Sequence, residues 1–161
     1  MKNLVLLPDE LLYVRSEPVE SINNEIRELA EEMIETMREA RGIGLAGVQV
    51  GELRRLFVCE VGDEKPMVFI NPSILETSLD EVKYEEGCLS IPGVYADVKR
   101  PESIKVQAWN ERGRPFNIEA DGMLARVILH EYDHLNGVLF LSHLTERKRS
   151  KLLNQYSEQR G

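Results

Sequence analysis

The sequence of 161 residues has little of what marks several large classes of protein. It contains only two cysteines, Cys59 and Cys88, which are too few for a disulfide framework. No apolar run approaches the roughly 20 residues that a membrane-spanning helix needs, and the opening segment has too short an apolar core for a signal peptide. Basic residues are outnumbered by acidic ones, 20 to 28, which argues against a protein built to bind DNA. We therefore expect a cytoplasmic protein with reduced cysteines and no membrane contact.

The length of 161 residues predicts a single domain over residues 1–161, and the order of the predicted elements (helix, strands, helix, helix) indicates the α+β class. Helical spacing predicts a first helix over residues 21–41, and a second between Asp121, a good N-cap, and Gly137, a residue typical of the position after a helix. Thr145 can cap a third, largely polar helix. Alternating segments, which fit antiparallel sheet, predict strands over residues 53–61, 67–70, 104–109 and 116–120.

Residues 130–134 read His-Glu-Tyr-Asp-His and are the most informative segment of the chain. On a helix, His130 and His134 point from one face and can bind a single metal ion. Glu131 lies about 100° further round the helix, close enough to reach a water on that ion. All three fall within or beside the apolar face, and buried ionisable groups are costly without a partner. A metal ion would supply that partner.

A catalytic site of this kind has three protein ligands and one open position. Phe140 stands where a metzincin needs its third histidine, so that class is disfavoured. A distant glutamate is one alternative for the third ligand. The best candidate is Cys88, because a thiolate binds such metals well and Gly87 allows the backbone to approach closely. Cys59 alternates within a predicted strand, which is typical of a small buried apolar residue.

The glycine-rich segment over residues 42–51 reads Gly-Ile-Gly-Leu-Ala-Gly-Val-Gln-Val-Gly. It matches neither the dinucleotide-binding fingerprint nor a P-loop. Taken alone, it could equally be an ordinary connection from helix to strand. Gln49 is the candidate functional residue of this segment, because its side-chain amide N–H can donate a hydrogen bond to a developing oxyanion.

Together these three segments resemble peptide deformylase. The family pattern has a Gly-x-Gly-Leu-Ala-x-x-Gln loop, a Glu-Gly-Cys-Leu-Ser segment and a His-Glu-x-Asp-His-Leu helix, and this chain has them in that order over residues 42–49, 86–90 and 130–135. The resemblance extends over nearly the whole chain. In one departure, residues 47–48 read Gly-Val where the family usually has Ala-Pro, which should loosen the loop.

The resemblance implies an enzyme that removes the N-terminal formyl group from new peptides that begin with formylmethionine. It implies a small α+β domain in which antiparallel sheets wrap around the metal-binding helix. It also implies one divalent metal ion, most often Fe²⁺ in the cell, with Zn²⁺, Ni²⁺ or Co²⁺ able to substitute. The implied roles are metal ligands for Cys88, His130 and His134, general base and then acid for Glu131, and oxyanion donors for the Gln49 amide and the Leu89 backbone N–H.

For the substrate, we expect Ile43 and Val127 to form walls of the methionine pocket. Gly44 and Gly87 are also expected to contact it. A formyl group is small, so a site closed around it can exclude ordinary internal peptide bonds.

Three charged parts of the chain have two interpretations each. Arg100 and Asp133 could support the metal ligands from behind, or could be ordinary surface charges. Residues 147–151, which read Arg-Lys-Arg-Ser-Lys, form a basic cluster in an acidic chain. This cluster fits a solvated helix face, or a transient contact with ribosomal RNA near the exit of the nascent chain.

Two other functions use the same helix. A zincin-type metallopeptidase would have a different third ligand and would leave the glycine-rich segment without a role. A metal that only stabilises the fold would normally have four protein ligands, and would leave Glu131 unexplained.

Overall fold

The computed structural model describes residues 2–160, and within them the chain forms three α-helices, seven β-strands and three short 3-10 helices. The α-helices are α1 (Asn24–Glu39), α2 (Gly122–Leu135) and α3 (Glu146–Arg160). The strands are β1 (Gly44–Ala46), β2 (Leu56–Cys59), β3 (Met67–Thr77), β4 (Glu81–Cys88), β5 (Ile91–Pro101), β6 (Ser103–Trp109) and β7 (Pro115–Asp121). The 3-10 helices span Glu10–Tyr13, Gly47–Val50 and Phe140–His143.

All strand pairs are antiparallel, and they form two separate sheets. The larger has five strands in the order β1-β2-β3-β6-β7, and the smaller is the hairpin of β4 and β5. This arrangement confirms the predicted α+β class with antiparallel sheets around the histidine-bearing helix, α2. None of the helices in the described part of the chain is long and apolar enough to cross a membrane.

The five-stranded sheet lies between α1 and α2, because alternate side chains of a strand point to opposite faces. On β2, Phe57 packs in the cluster that includes Ile128 of α2. Its neighbour Val58 packs in the cluster that includes Met33 of α1. A third cluster joins the hairpin to α3 and contains the buried Tyr156. The helix α2 therefore lies between the large sheet and the hairpin, with contacts to both.

The helices begin and end close to their predicted limits. The first is shorter than residues 21–41, because the Asn23 side chain accepts a hydrogen bond from the Ile26 N–H at 3.1 Å and so caps a helix that starts at residue 24. Asp121 occupies the predicted N-cap position of α2, although its side chain makes no capping bond. Gly137 follows α2 with φ of 73°, as a residue after a helix C-terminus often does. Thr145 accepts from the Lys148 N–H at 3.3 Å at the start of α3.

The prediction that the strand beginning at residue 67 ends at residue 70 is wrong. The strand continues through Asn71-Pro72 to Thr77, with a shift of register against β6 between Ile70 and Ser73. Asn71 has a φ of 50°, and its side chain is paired with the backbone of Val19 at 2.8 and 2.9 Å. A bulge of this kind carries the strand past a proline that would otherwise interrupt the ladder.

The hairpin of β4 and β5 was not predicted from the pattern of apolar residues. Val82 and Tyr84 alternate with charged residues in β4, but residues 81–85 are all exposed, so neither face of this segment is buried in the core. Its pairing with β5 runs from Glu81 opposite Pro101 to Cys88 opposite Ile91. Cys88 is the last residue of β4, next to the turn of the hairpin, and its thiol lies beside α2.

Candidate active site

Three side chains that can bind a metal meet between α2 and the end of β4. His130 and His134 lie one turn apart on α2, and Cys88 is the last residue of β4. Their candidate ligand atoms all lie within 4.8 Å of one another, and the Cys88 Sγ is 3.4 Å from the His134 Nε2. This is the one group of three or more such residues found among residues 2–160. The fold therefore brings together the three residues that the sequence analysis selected as candidate ligands.

The ring of His130 is oriented by Glu86, a residue that was not singled out from the sequence. The Glu86 Oε1 lies 2.9 Å from the His130 Nδ1. A carboxylate can only accept, so the Nδ1 of His130 carries the proton that faces Glu86, and Nε2 is the nitrogen left to bind a metal. The sequence signal for Glu86 is weak, because a glutamate next to Glu85 in an exposed strand resembles a solvated face.

Glu86 is buried as a charge but surrounded by cations. The Arg100 guanidinium binds it at 2.6 and 3.0 Å, and the Arg126 Nη1 donates to its Oε2 at 2.6 Å. Burial alone would raise the pKa of Glu86, but hydrogen bonds from His130 and Arg100 lower it to about 2. Arg100 also donates to the Asp133 Oδ2 at 2.9 Å, so both charged candidates behind the ligands belong to one network.

Glu131 lies beside the histidines with an oxygen that lacks a partner. Its side chain is buried, and its Oε1 makes no hydrogen bond to the described residues. Burial raises the pKa of Glu131 to about 7, near the value that suits a general base at neutral pH. A side chain at Gly44 would meet the other oxygen, since a Cβ there would lie 2.5 Å from the Glu131 Oε2. The glycine therefore makes room for this carboxylate.

Gln49 is held at both ends of its side-chain amide. Its Oε1 accepts from the Ala46 N–H at 2.9 Å, while its Nε2 lies 3.1 Å from the Ser90 Oγ and 3.5 Å from the Cys88 Sγ. The side chain is 1% exposed, so its amide N–H is fixed beside the candidate metal ligands. Leu89 directly follows Cys88, and its side chain lies against Gly42 in the glycine-rich segment.

A pocket of about 490 Å³ opens onto this cluster. It is lined by all four residues expected to contact substrate: Ile43, Gly44, Gly87 and Val127. Val127 is buried, whereas Ile43 is half-exposed at the mouth. Met123, Tyr95 and Pro92 add apolar surface to the same pocket. Charged and polar residues, among them Arg41 and Glu85, line the pocket as well, and such a mixed lining suits a substrate with one apolar side chain and a polar backbone.

The chemistry of these residues fits a catalytic metal. One thiol and two imidazoles make a three-ligand set that leaves a fourth position open, and structural sites normally fill all four. The unpartnered oxygen of Glu131 lies in the same buried region, where a polar ligand would satisfy it. A metal that only stabilises the fold would not require this carboxylate.

The fold and the site define a metal-dependent hydrolase with an HExxH helix. The family model described as polypeptide deformylase matches residues 1–150. The chain is 48% identical to the peptide deformylase of Agrobacterium fabrum over 98% of this chain and 95% of that protein. It is 47% identical to that of Borreliella burgdorferi, over 98% and 96%. The chain belongs to the peptide deformylase family.

Solved structures agree with this assignment. The peptide deformylase of Ehrlichia chaffeensis has a TM-score of 0.96 and 38% identity, covering 99% of this chain and 97% of that one. That of Synechococcus elongatus, solved in complex with actinonin, has a TM-score of 0.93 and 43% identity, covering 97% and 88%. The protein is therefore a metal-dependent enzyme that removes the formyl group from the N-terminal formylmethionine of new polypeptides and releases formate. The metallopeptidase alternative is not favoured.

Proposed function

We propose that Cys88, His130 and His134 hold one divalent metal ion and that Glu131 transfers the proton during deformylation. The observation that carries this proposal is the cluster of three ligand atoms within 4.8 Å, next to a buried carboxylate oxygen without a partner. A bound divalent metal would supply a water of lowered pKa and polarise the formyl oxygen.

Residues of this chain carry out proton transfer and stabilise the charge that develops on the substrate. Glu131 takes a proton from the attacking water and passes it to the leaving amine, which a pKa of about 7 allows at neutral pH. Attack of the water forms the new C–O bond and places negative charge on the formyl oxygen, and the C–N bond then breaks to give formate and a free N-terminal amine. As negative charge develops on the formyl oxygen, the Gln49 amide and the Leu89 backbone N–H donate to it. Each such donor contributes on the order of 3 kcal/mol in comparable sites.

The pocket would receive the methionine side chain of the substrate. Ile43 and Val127 supply apolar walls, and Gly44 and Gly87 belong to the same lining. A Cβ at Gly87 would lie 2.5 Å from the Tyr95 ring, so the backbone there is already closely covered on one side.

Formate release tests this function. The purified protein, loaded with metal, should release formate from a formyl-Met peptide. It should not cleave a matched peptide whose N-terminus is acetylated and whose internal bonds are intact. Cleavage of internal bonds without formate release would overturn the proposal in favour of a metallopeptidase.

We further propose Fe²⁺ as the working metal in the cytoplasm. A thiolate with two imidazoles binds several metals, so Zn²⁺, Ni²⁺ and Co²⁺ can substitute. A ferrous ion and a thiolate beside an open position are both open to oxidation. Iron-loaded enzyme should thus lose activity in air faster than nickel- or zinc-loaded enzyme. Equal lifetimes for the three forms would count against iron, and metal analysis of protein prepared without oxygen would identify the native ion.

A transient ribosome contact is proposed for the basic start of α3. Arg147, Lys148 and Lys151 are exposed there, within two turns of the helix. A cluster of this kind can bind phosphates in a salt-dependent way. None of these three residues lines the pocket, so reversing their charges should spare catalysis on a short peptide.

Reversing these three charges to Glu should reduce co-sedimentation with ribosomes at low salt. Activity on a short formyl-Met peptide should not change. A matched control reverses Lys65, Arg112 and Arg114, which are exposed in turns elsewhere. Equal co-sedimentation of both triple variants would leave α3 as an ordinary solvated helix.

A further inference from the structure

The candidate metal ligands come from two elements that no backbone ladder joins. Cys88 is on the β4–β5 hairpin, and both histidines are on α2. The hairpin is a separate two-stranded sheet, not hydrogen-bonded to the larger one on which α2 packs. The distance from the thiol to the imidazoles therefore depends on side-chain contacts between hairpin and helix.

Arg126 makes the densest of these contacts. It lies one turn before His130, on the same side of α2. Its Nη1 donates to the Glu86 Oε2 at 2.6 Å and to the Val98 carbonyl at 2.9 Å. Its Nη2 donates to the Val82 carbonyl at 2.6 Å. One guanidinium thus reaches a side chain and both strands of the hairpin.

The other cation on Glu86 cannot replace this link. Arg100 belongs to β5, so its bonds to Glu86 on β4 stay within the hairpin. Its link to the helix is a single bond to Asp133, whose side chain is 22% exposed. Arg126 is 9% exposed, and the Tyr84 ring lies 5.7 Å from its guanidinium. A buried, multiply bonded cation constrains geometry more than a partly exposed pair.

We propose that Arg126 is a positioning residue, which holds the β4–β5 hairpin against α2 and thereby sets the place of the Cys88 thiolate relative to the two histidines. This inference rests on the proposed ligand set. The flat fork of arginine is needed because the acceptors lie in different directions, whereas an ammonium is a compact point charge.

The test is the affinity of the metal-free protein for Co²⁺, measured in competition with a chelator. Removing a residue that orients a ligand typically weakens metal binding by about 10-fold or more. Arg126→Met should show a loss of that size, with weaker thiolate-to-cobalt absorption. Arg126→Lys can still bind Glu86 but cannot reach both carbonyls, so its loss should be intermediate.

A merely structural role predicts something different. It would lower the melting temperature of the metal-free variant and leave the Co²⁺ affinity of the folded protein unchanged. A folded Arg126→Met that binds Co²⁺ as wild type does would overturn the proposal. If Arg126→Met does not fold, Arg126→Lys decides: a loss of about 3-fold or more supports the proposal, and wild-type affinity overturns it.

Two control variants separate the possible failures. Arg38→Met removes an arginine that pairs with Glu60 at 2.7 Å on the surface and should leave Co²⁺ affinity unchanged. An equal loss in Arg38→Met would show a general charge effect and overturn the proposal. Cys88→Ala should abolish the thiolate-to-cobalt absorption. If it does and Arg126→Met behaves as wild type, only the inference about Arg126 fails. If Cys88→Ala keeps the absorption, the ligand set itself is wrong.

Discussion

At the scale of single residues, Glu131 is the group whose surroundings say most about its chemistry. It is buried, one of its oxygens has no partner among the described residues, and burial raises its pKa to about 7. Burying a carboxylate without a partner destabilises the folded protein, so its presence here points to a functional role. Glu131 fits there because residue 44 is glycine: a side chain at that position would collide with the Glu131 carboxylate.

Replacing Glu131 by Gln should leave the metal in place and slow the reaction. The amide has the same shape but cannot accept the proton, so formate release should fall by at least about 10²-fold. Metal content, measured on the same sample, should stay near one ion per chain. A rate within a few fold of wild type would exclude the proposed role.

Cys59 is the second thiol, and its surroundings differ from those of Cys88. It is buried in β2, and burial, with a smaller effect from the charge of Glu131, raises its pKa to about 12. In the unfolded chain the thiol loses its proton near its ordinary value of 9.0. The stabilisation from the neutral buried thiol is therefore complete below pH 9 and is lost as pH rises toward 12.

Cys59→Ala removes this alkaline effect. The free energy of unfolding of the metal-free wild type should fall relative to that of the variant by roughly 1 kcal/mol per pH unit between pH 9 and 11. Denaturant titrations of both proteins at pH 8, 10 and 11 would measure it. Tyrosines and lysines titrate in both proteins, so only a difference that changes with pH counts. A constant difference would contradict the burial of a neutral thiol.

At the scale of elements, the sequence predicted the helices well and the hairpin not at all. Helical spacing and end residues such as Gly137 and Thr145 are local signals, and they place α1, α2 and α3 within a few residues. The hairpin of β4 and β5 depends on pairing between strands, and the alternating residues Val82 and Tyr84 of β4 lie in an exposed segment rather than on a buried face. The bulge at Asn71 depends on a contact with Val19, 52 residues away in the chain, which no local pattern reports.

The end of α2 offers a test of how that helix is held. Gly137 has a φ of 73°, and a side chain there would meet the Tyr13 carbonyl oxygen. Gly113 has a φ of 76° with nothing within 4 Å. Both changes to Ala incur the left-handed backbone penalty of about 1–2 kcal/mol, but only Gly137→Ala adds a clash.

Gly137→Ala should therefore lower the free energy of unfolding by more than Gly113→Ala. Denaturant titration of the two variants gives the comparison directly. Equal losses would mean that the segment around Tyr13 does not pack against the end of α2 as the structure has it.

At the scale of the whole molecule, the candidate site forms where three regions far apart in sequence meet. The glycine-rich segment brings Gln49, the hairpin brings Cys88, and α2 brings both histidines and Glu131. Sequence motifs identified these residues because their types and spacing carry the chemistry. Glu86 entered only as part of a motif without a role of its own, and Arg126 was not selected, since their roles come from contacts across 40 residues that join hairpin and helix. A sequence motif identifies the residues with catalytic chemistry, whereas the residues that hold them in position are identified only by contacts in the folded chain.

The central claim is that one metal ion, held by Cys88, His130 and His134, is required for deformylation. Adding Ni²⁺ stepwise to metal-free protein while measuring formate release from a formyl-Met peptide tests it most directly. Activity should be absent without metal, rise in proportion to the added ion, and reach its limit at one ion per chain. Cys88→Ala should stay inactive throughout, whereas Cys59→Ala should follow the wild type. Formate release by the metal-free protein, or a Cys88→Ala titration like that of wild type, would contradict the claim.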